Sequence, residues 1–176
     1  MDVVGSLLDV RYFIDTEFDD DRDWPALISI GLVAEDGREY YAELAGFDRS
    51  TANPWVAEHV VPRLGPVADA KEPEVIRDEI GAFFLRGATE VWGYVPAYDW
   101  VLFHRLFGRW ELVPGNIPFG CFDLRQWRHQ LGNPPIPELG SAHAHHALVD
   151  ARWAASVYRA LDAVATSPRH VMDRSR

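Results

Sequence analysis

Asp15 and Glu17 stand two apart inside the apolar run Phe13-Ile14-Asp15-Thr16-Glu17-Phe18. On a strand such a pair leaves the same face. Two carboxylates side by side among core-like neighbours repel each other and lose hydration, which calls for raised pKa values or a cation. Asp99 follows Tyr98 shortly after Pro96, in the first turn of a helix entered from a strand. The helix dipole favours an acid there for stability alone, but strand-to-helix junctions are also where open α/β sheets place their ligands. His145 and Asp150, four residues between them, open the final helix, the histidine at its entry and the acid about one turn in. Hard oxygen donors from one strand and two helix starts describe a magnesium or manganese site. The crowding of His143, His145 and His146 raises zinc as a competing reading, although zinc wants three or four His, Cys or acidic ligands and His143 and His145 lie two apart in a loop.

The elements that must carry these groups can be read from pattern and punctuation. Residues 11–18 form an aromatic, β-branched strand, and the acidic stretch 19–24 is a polar loop. Residues 27–35 and 38–44 are strands joined by the turn dipeptide Asp36-Gly37, which completes an antiparallel meander. Asn53-Pro54 caps a short helix reaching about residue 61. From Pro73, the apolar positions Val75, Ile76, Ile80, Phe83 and Phe84 have helical spacing, ended by Gly87. A strand over 89–94 precedes a helix over 98–107, a strand end and helix occupy 122–131, and a three-proline loop covers 133–137. The last helix spans about 146–165, with Leu148, Ala151, Ala155, Tyr158 and Leu161 near one face. A meander followed by alternating strands and helices predicts an α/β fold with a mixed sheet in one domain, residues 1–176, with a short extension over 1–10 and a disordered tail over 166–176.

Composition narrows the classes. The chain has 176 residues, 48% hydrophobic and 25% charged, enough for a full core. Its single Cys121 cannot make an internal disulfide, its first residues lack a basic signal-peptide region, and no apolar run has membrane-spanning length, so a cytoplasmic setting is expected. A net charge of −10 argues against extensive duplex binding through a broad basic patch. A nucleic-acid substrate would be held as a short piece.

Taken together, Asp15-Thr16-Glu17, Asp99 and His145-x4-Asp150 resemble the DEDDh branch of the 3′–5′ exonucleases. The stretches YFIDTEF from Tyr12, LISIGLVAEDGREYYAE from Leu27, Ala97-Tyr98-Asp99 and ALVDA from Ala147 are similar to the polyadenylate-specific 3′-exoribonuclease AS family. The resemblance covers residues 11 to about 165. It implies an RNase H-like, five-stranded mixed sheet flanked by helices, and a homodimeric enzyme that releases nucleoside 5′-monophosphates from the 3′ end of adenosine-rich single-stranded RNA. It further implies two Mg²⁺ ions, or Mn²⁺, held by Asp15, Glu17, Asp99 and Asp150, with His145 as general base and a rate rising through pH ~6.5. The roughly ten residues before the first strand and His146, where an acid or small residue is expected, depart from the family pattern. Phe18, Tyr98 and Trp100 are candidates for stacking on the base. A DNA 3′–5′ exonuclease or proofreading subunit of the same superfamily, and a metal- or nucleic-acid-binding module without catalysis, are the alternatives.

Overall fold

The computed structural model describes residues 10–20, 24–84, 88–140 and 144–167. Its centre is β1 (Val10–Asp19), flanked in the sheet order β3-β2-β1-β4-β5 by β2 (Ala26–Ala34), β3 (Glu39–Glu43), β4 (Ala88–Gly93) and β5 (Cys121–Asp123). The first three strands form the antiparallel meander, turned at Gly37 with φ 91°. β4 runs parallel to β1 and β5 parallel to β4. The carboxyl ends of β1, β4 and β5 therefore open on one edge of the sheet.

Alternation along β1 splits the core into two layers. Tyr12 and Ile14, with Ile30, Leu32 and Val91, pack against α2 (Pro73–Phe83) and α3 (Ala97–Leu106) through Ile76, Ile80 and Phe103. Phe13, Val33 and Trp92 face the other way, onto α4 (Leu124–Gln130) and α5 (Ala147–Ala165) through Leu124, Ala151, Ala155, Tyr158 and Leu161. A smaller cluster of Ile28, Val56 and Val60 ties α1 (Pro54–His59) to β2. Val75 departs from the expected apolar face: it is 45% exposed in the first turn of α2.

Two close approaches set the site. Gly31 pairs with Asp15 across β1 and β2, and a Cβ on it would strike the backbone of Ala147 and Leu148. The first turn of α5 thus lies directly on the sheet over Asp15. At Gly93 a Cβ would meet Pro96 and the Ile14 carbonyl, so β4 turns into α3 with no room to spare.

Asp19 corrects the expected polar loop. It is the last residue of β1, 1% exposed, and its carboxylate accepts the Asn53 backbone N–H at 3.0 Å and the Asn53 side-chain amide at 2.8 Å. A buried carboxylate is stable there because two donors replace its water. Residues 21–23 of that loop, His143, most of the expected N-terminal extension, the tail from residue 168 and the expected helix stop at Gly87 lie outside the described residues.

Candidate functional site

Asp15 and Glu17 project from β1 toward the start of α5, on the same face as Phe13. Asp150 enters from the first turn of α5. Its Oδ2 accepts the backbone N–H of His145 at 2.9 Å, whereas its buried Oδ1 has no hydrogen-bond partner. His145 adopts φ 67°, a left-handed conformation uncommon outside glycine. That turn swings the chain into α5 and ties the histidine to the acid it precedes. One ligand atom each from Glu17, His145 and Asp150 lie within 4.8 Å of one another.

Asp99 arrives from the opposite core layer. It is 8% exposed in the first turn of α3, and its Oδ1 accepts the Thr16 backbone N–H at 2.8 Å and the Thr16 hydroxyl at 2.6 Å. Thr16 separates Asp15 from Glu17 in β1, so these bonds dock the third acid beside the first two.

The electrostatics are those of a site short of positive charge. Burial pushes the Asp15 carboxyl well above its ordinary range, and the charges of Asp99, Asp150 and Glu17 push it further. Burial, then Asp150 and Asp99, raise Glu17 to about 8, with Arg63 opposing. Burial also raises Asp99, against the Thr16 bonds, and Asp150, against the His145 N–H. None of the four makes an ion pair with Lys or Arg among the described residues. The orphaned Asp150 oxygen and the mutual repulsion of hard oxygen donors both fit a divalent cation, which would lower every one of these pKa values at once.

His145 moves in the opposite direction. Burial lowers its pKa, and nearby His59 and Arg63 lower it more. Its ring meets Trp55 edge-on at 4.8 Å and His59 at 5.8 Å, and those two rings stack on each other at 4.8 Å. Trp55 and His59, one helical turn apart on α1, escaped the sequence reading. Their (i, i+4) spacing after the Asn53 cap was visible, but no local pattern connects that face to a histidine some ninety positions later. The Asn53 Oδ1 accepts the Val56 N–H at 2.9 Å, and with the Asp19 bonds it pins α1 to the end of β1.

The proposed stacking residues separate. Phe18 and Tyr98 form a tilted pair at 5.4 Å, with Tyr98 58% exposed. Trp100 lies flat on Phe103 at 5.0 Å and donates its indole N–H to the Phe119 carbonyl at 3.2 Å, so it serves the packing of α3 rather than an open surface. Trp55 instead lines a hollow of about 730 Å³ with Glu17, Phe18 and Asn53.

A mixed sheet with clustered acids at the carboxyl end of its central strand defines an RNase H-like exonuclease fold. It superposes on a zinc-bound E. coli ExoI–ssDNA complex with a TM-score of 0.64 at 15% identity, over 92% of this chain and 42% of that one. Exonuclease I from Methylocaldum szegediense gives 0.62 at 16% identity, over 92% of this chain and 41% of that one. The chain spans less than half the length of these exonucleases, and at such identity the likeness shows the fold alone. Residues 10–161 match the 3′-5′ exoribonuclease Rv2179c-like domain, and the chain belongs to that family of nucleases. It is 42% identical over 148 residues to the 3′-5′ exoribonuclease Rv2179c of Mycobacterium tuberculosis H37Rv, covering 81% of this chain and 88% of the relative.

Proposed function

We propose that the chain is a divalent-metal-dependent 3′–5′ exoribonuclease that shortens adenosine-rich single-stranded RNA, releasing nucleoside 5′-monophosphates, as in the exoribonuclease AS family. The convergence of Glu17, His145 and Asp150 within 4.8 Å, beside Asp15 and Asp99, carries this reading. Asp15, Glu17, Asp99 and Asp150 would hold two ions, Mg²⁺ or Mn²⁺. When bound, such a pair lowers the pKa of an attacking water and stabilises the leaving 3′ oxygen. His145 is neutral at working pH because burial disfavours its charged form, and it takes the water's proton on a ring nitrogen. Its backbone bond to Asp150 and its edge contacts with Trp55 and His59 hold the ring in place. Phe18, Tyr98 and Trp55 offer faces on which a terminal base stacks, at ~1–3 kcal/mol per base. Stacking tolerates any base, so the adenine preference rests on polar groups of the surrounding loops.

The same reading includes a homodimer in the cytoplasm. Of two tryptophans in aromatic-rich segments open to such an interface, Trp127 packs into the core against Trp92 and Tyr158, whereas Trp110 stays 47% exposed against Phe119. Among the described residues no helix is long and apolar enough to cross a membrane. Sedimentation as a monomer at micromolar concentration would refute the dimer.

The decisive assay incubates the protein with labelled poly(A), other homopolymer RNAs and single-stranded DNA, with Mg²⁺ or with EDTA. Mg²⁺-dependent mononucleotide release, fastest from poly(A), is expected. Equal decay of DNA and RNA would favour a DNA exonuclease, and no release from any substrate a non-catalytic module. His145→Ala should lower turnover roughly 10²- to 10⁴-fold while metal binding is retained. Because the His145 pKa is depressed, its protonation should cost activity only below pH ~6.5, the ordinary imidazole value. At saturating Mg²⁺, where protonation of Glu17 no longer limits metal binding, a wild-type rate that falls already between pH 8 and 7 would contradict that assignment.

A further inference from the structure

A second hollow, of about 940 Å³, lies on the same edge of the sheet as the acids, at the carboxyl ends of β4 and β5. Arg125, Arg128 and His129 line it, with Gln126 and Asn133 between them and the β4–α3 connection, through Tyr94 and Val95, as its wall. In a chain of net charge −10 this is a local reversal of sign. The one acid in the lining, Asp123, is already committed: its Oδ1 accepts the backbone N–H groups of Val95 at 3.3 Å, Arg125 at 2.7 Å and Gln126 at 3.2 Å. Arg128 is anchored through Nε to the Pro134 carbonyl at 2.9 Å. The Arg125 side chain is exposed and makes no ion pair among the described residues.

Val95, in the wall of the hollow, and Pro96 lead directly into the turn that carries Asp99, so the hollow and the acid cluster share the edge of the sheet on which β4 ends. The Trp55 hollow borders that cluster on the α1 side. A strand whose 3′ end occupies the Trp55 side has this second hollow open to it on the same edge of the sheet. We infer that the Arg125–Arg128–His129 hollow binds the phosphates of the RNA strand on the 5′ side of the bond to be cut. This inference rests on the exoribonuclease reading and extends it: the acids act on the last linkage, and the two arginines hold the nucleotides upstream of it. Arginine suits the role because its planar donors match phosphate oxygens. The hollow spans few nucleotides, which explains how an acidic protein can hold single strands without a broad basic surface.

The test is fluorescence anisotropy of the full-length protein with labelled A12 and A2 RNA over a salt series, run in EDTA so that no hydrolysis is needed. Each lost phosphate contact lowers the slope of log K against log salt by about 0.7 and weakens binding roughly fourfold at 0.15 M salt. Arg125→Gln should show one such step on A12, and Arg125→Gln/Arg128→Gln two, with A2 binding unchanged. Arg159→Glu, an exposed charge on α5, controls for bulk charge. The inference is overturned by unchanged slopes, by equal losses on A2 and A12, by an equal effect of Arg159→Glu, or by absent salt-dependent binding of the wild-type chain. Among the described residues Arg125 holds no hydrogen bond or ion pair through its side chain, so its single variant remains informative even if loss of the Arg128 anchor unfolds the double variant. Failure of the exoribonuclease reading would appear separately, as no Mg²⁺-dependent release from any RNA.

Discussion

The two ends of β1 treat charge in opposite ways. At the amino end Arg11 sits between two acids, its Nε 3.0 Å from Glu90 and its Nη1 3.0 Å from Glu35, and Glu90 also accepts the Trp92 indole N–H at 2.9 Å. At the carboxyl end Asp15 and Glu17 meet Asp99 and Asp150, offset by hydroxyl and amide donors and the field of Arg63, with no ion pair to Lys or Arg among the described residues. The first arrangement is complete as it stands. The second raises the pKa of every member, and such a cluster calls for a proton or, on the proposed reading, a divalent cation to neutralise it. On the proposed reading, one strand thus separates acids that serve the fold from acids that serve chemistry, and the local cation count tells them apart.

Substitutions at the two ends should break or sharpen that contrast. The largest effect belongs to the carboxyl end: Asp150→Asn should lower Mg²⁺-dependent turnover by more than the roughly 100-fold that loss of an outer partner of a metal site costs. It should nonetheless leave the metal-free protein at least as stable as wild type, because it removes a repelling charge. Loss of both activity and metal-free stability would mean that the acids are structural after all.

A smaller effect should appear in the pH dependence of stability. The folded-state pKa of Glu17, about 8, lies above its unfolded value of about 4.5. Between these two values the folded chain keeps a proton that the unfolded chain releases, so stability falls as pH rises through this window. In EDTA, thermal denaturation at pH 6.5, 7.2 and 8, above the range where burial of His104, its pKa lowered to about 4, gives the opposite slope, should give a declining Tm, about 2–4 °C for each kcal/mol lost in a chain of this size. Saturating Mg²⁺ should raise Tm most at pH 8, since the metal competes with the proton. A Tm in EDTA that climbs over this range would show that the cluster is not starved of positive charge.

The smallest effect belongs to the amino end. Glu90→Gln removes a half-exposed partner of Arg11, and such pairs contribute ~0–1 kcal/mol. Turnover should be unchanged and Tm should fall by a few degrees at most. A large loss of activity there would erase the distinction between the two ends.

Much of this contrast is legible without coordinates. The meander, its Asp36-Gly37 turn, the Asn53-Pro54 cap and the apolar stripe of α5 follow from local periodicity and turn chemistry, which act within a few residues. The same local rules put Asp15 and Glu17 on one face and Asp99 and Asp150 in first turns. They fail where a residue's surroundings come from far along the chain. Asp19 reads as one more acid of a polar run, yet it is buried because Asn53 reaches it. Trp100 reads as an open aromatic, yet Phe103 and Phe119 claim it.

By itself the sequence determined the identity of the chemical groups, the elements that carry them and, through resemblance, the class of 3′–5′ exonuclease. Only the tertiary structure decided that Gly31 lets α5 settle on the sheet over Asp15, that Trp55 and His59 brace His145, and that Arg125 and Arg128 line a hollow at the edge where β4 and β5 end. The reason is physical. Strand and helix formation depend on neighbours a few residues away, whereas close backbone approach and the field at a carboxylate depend on groups that only the assembled sheet brings within a few ångströms.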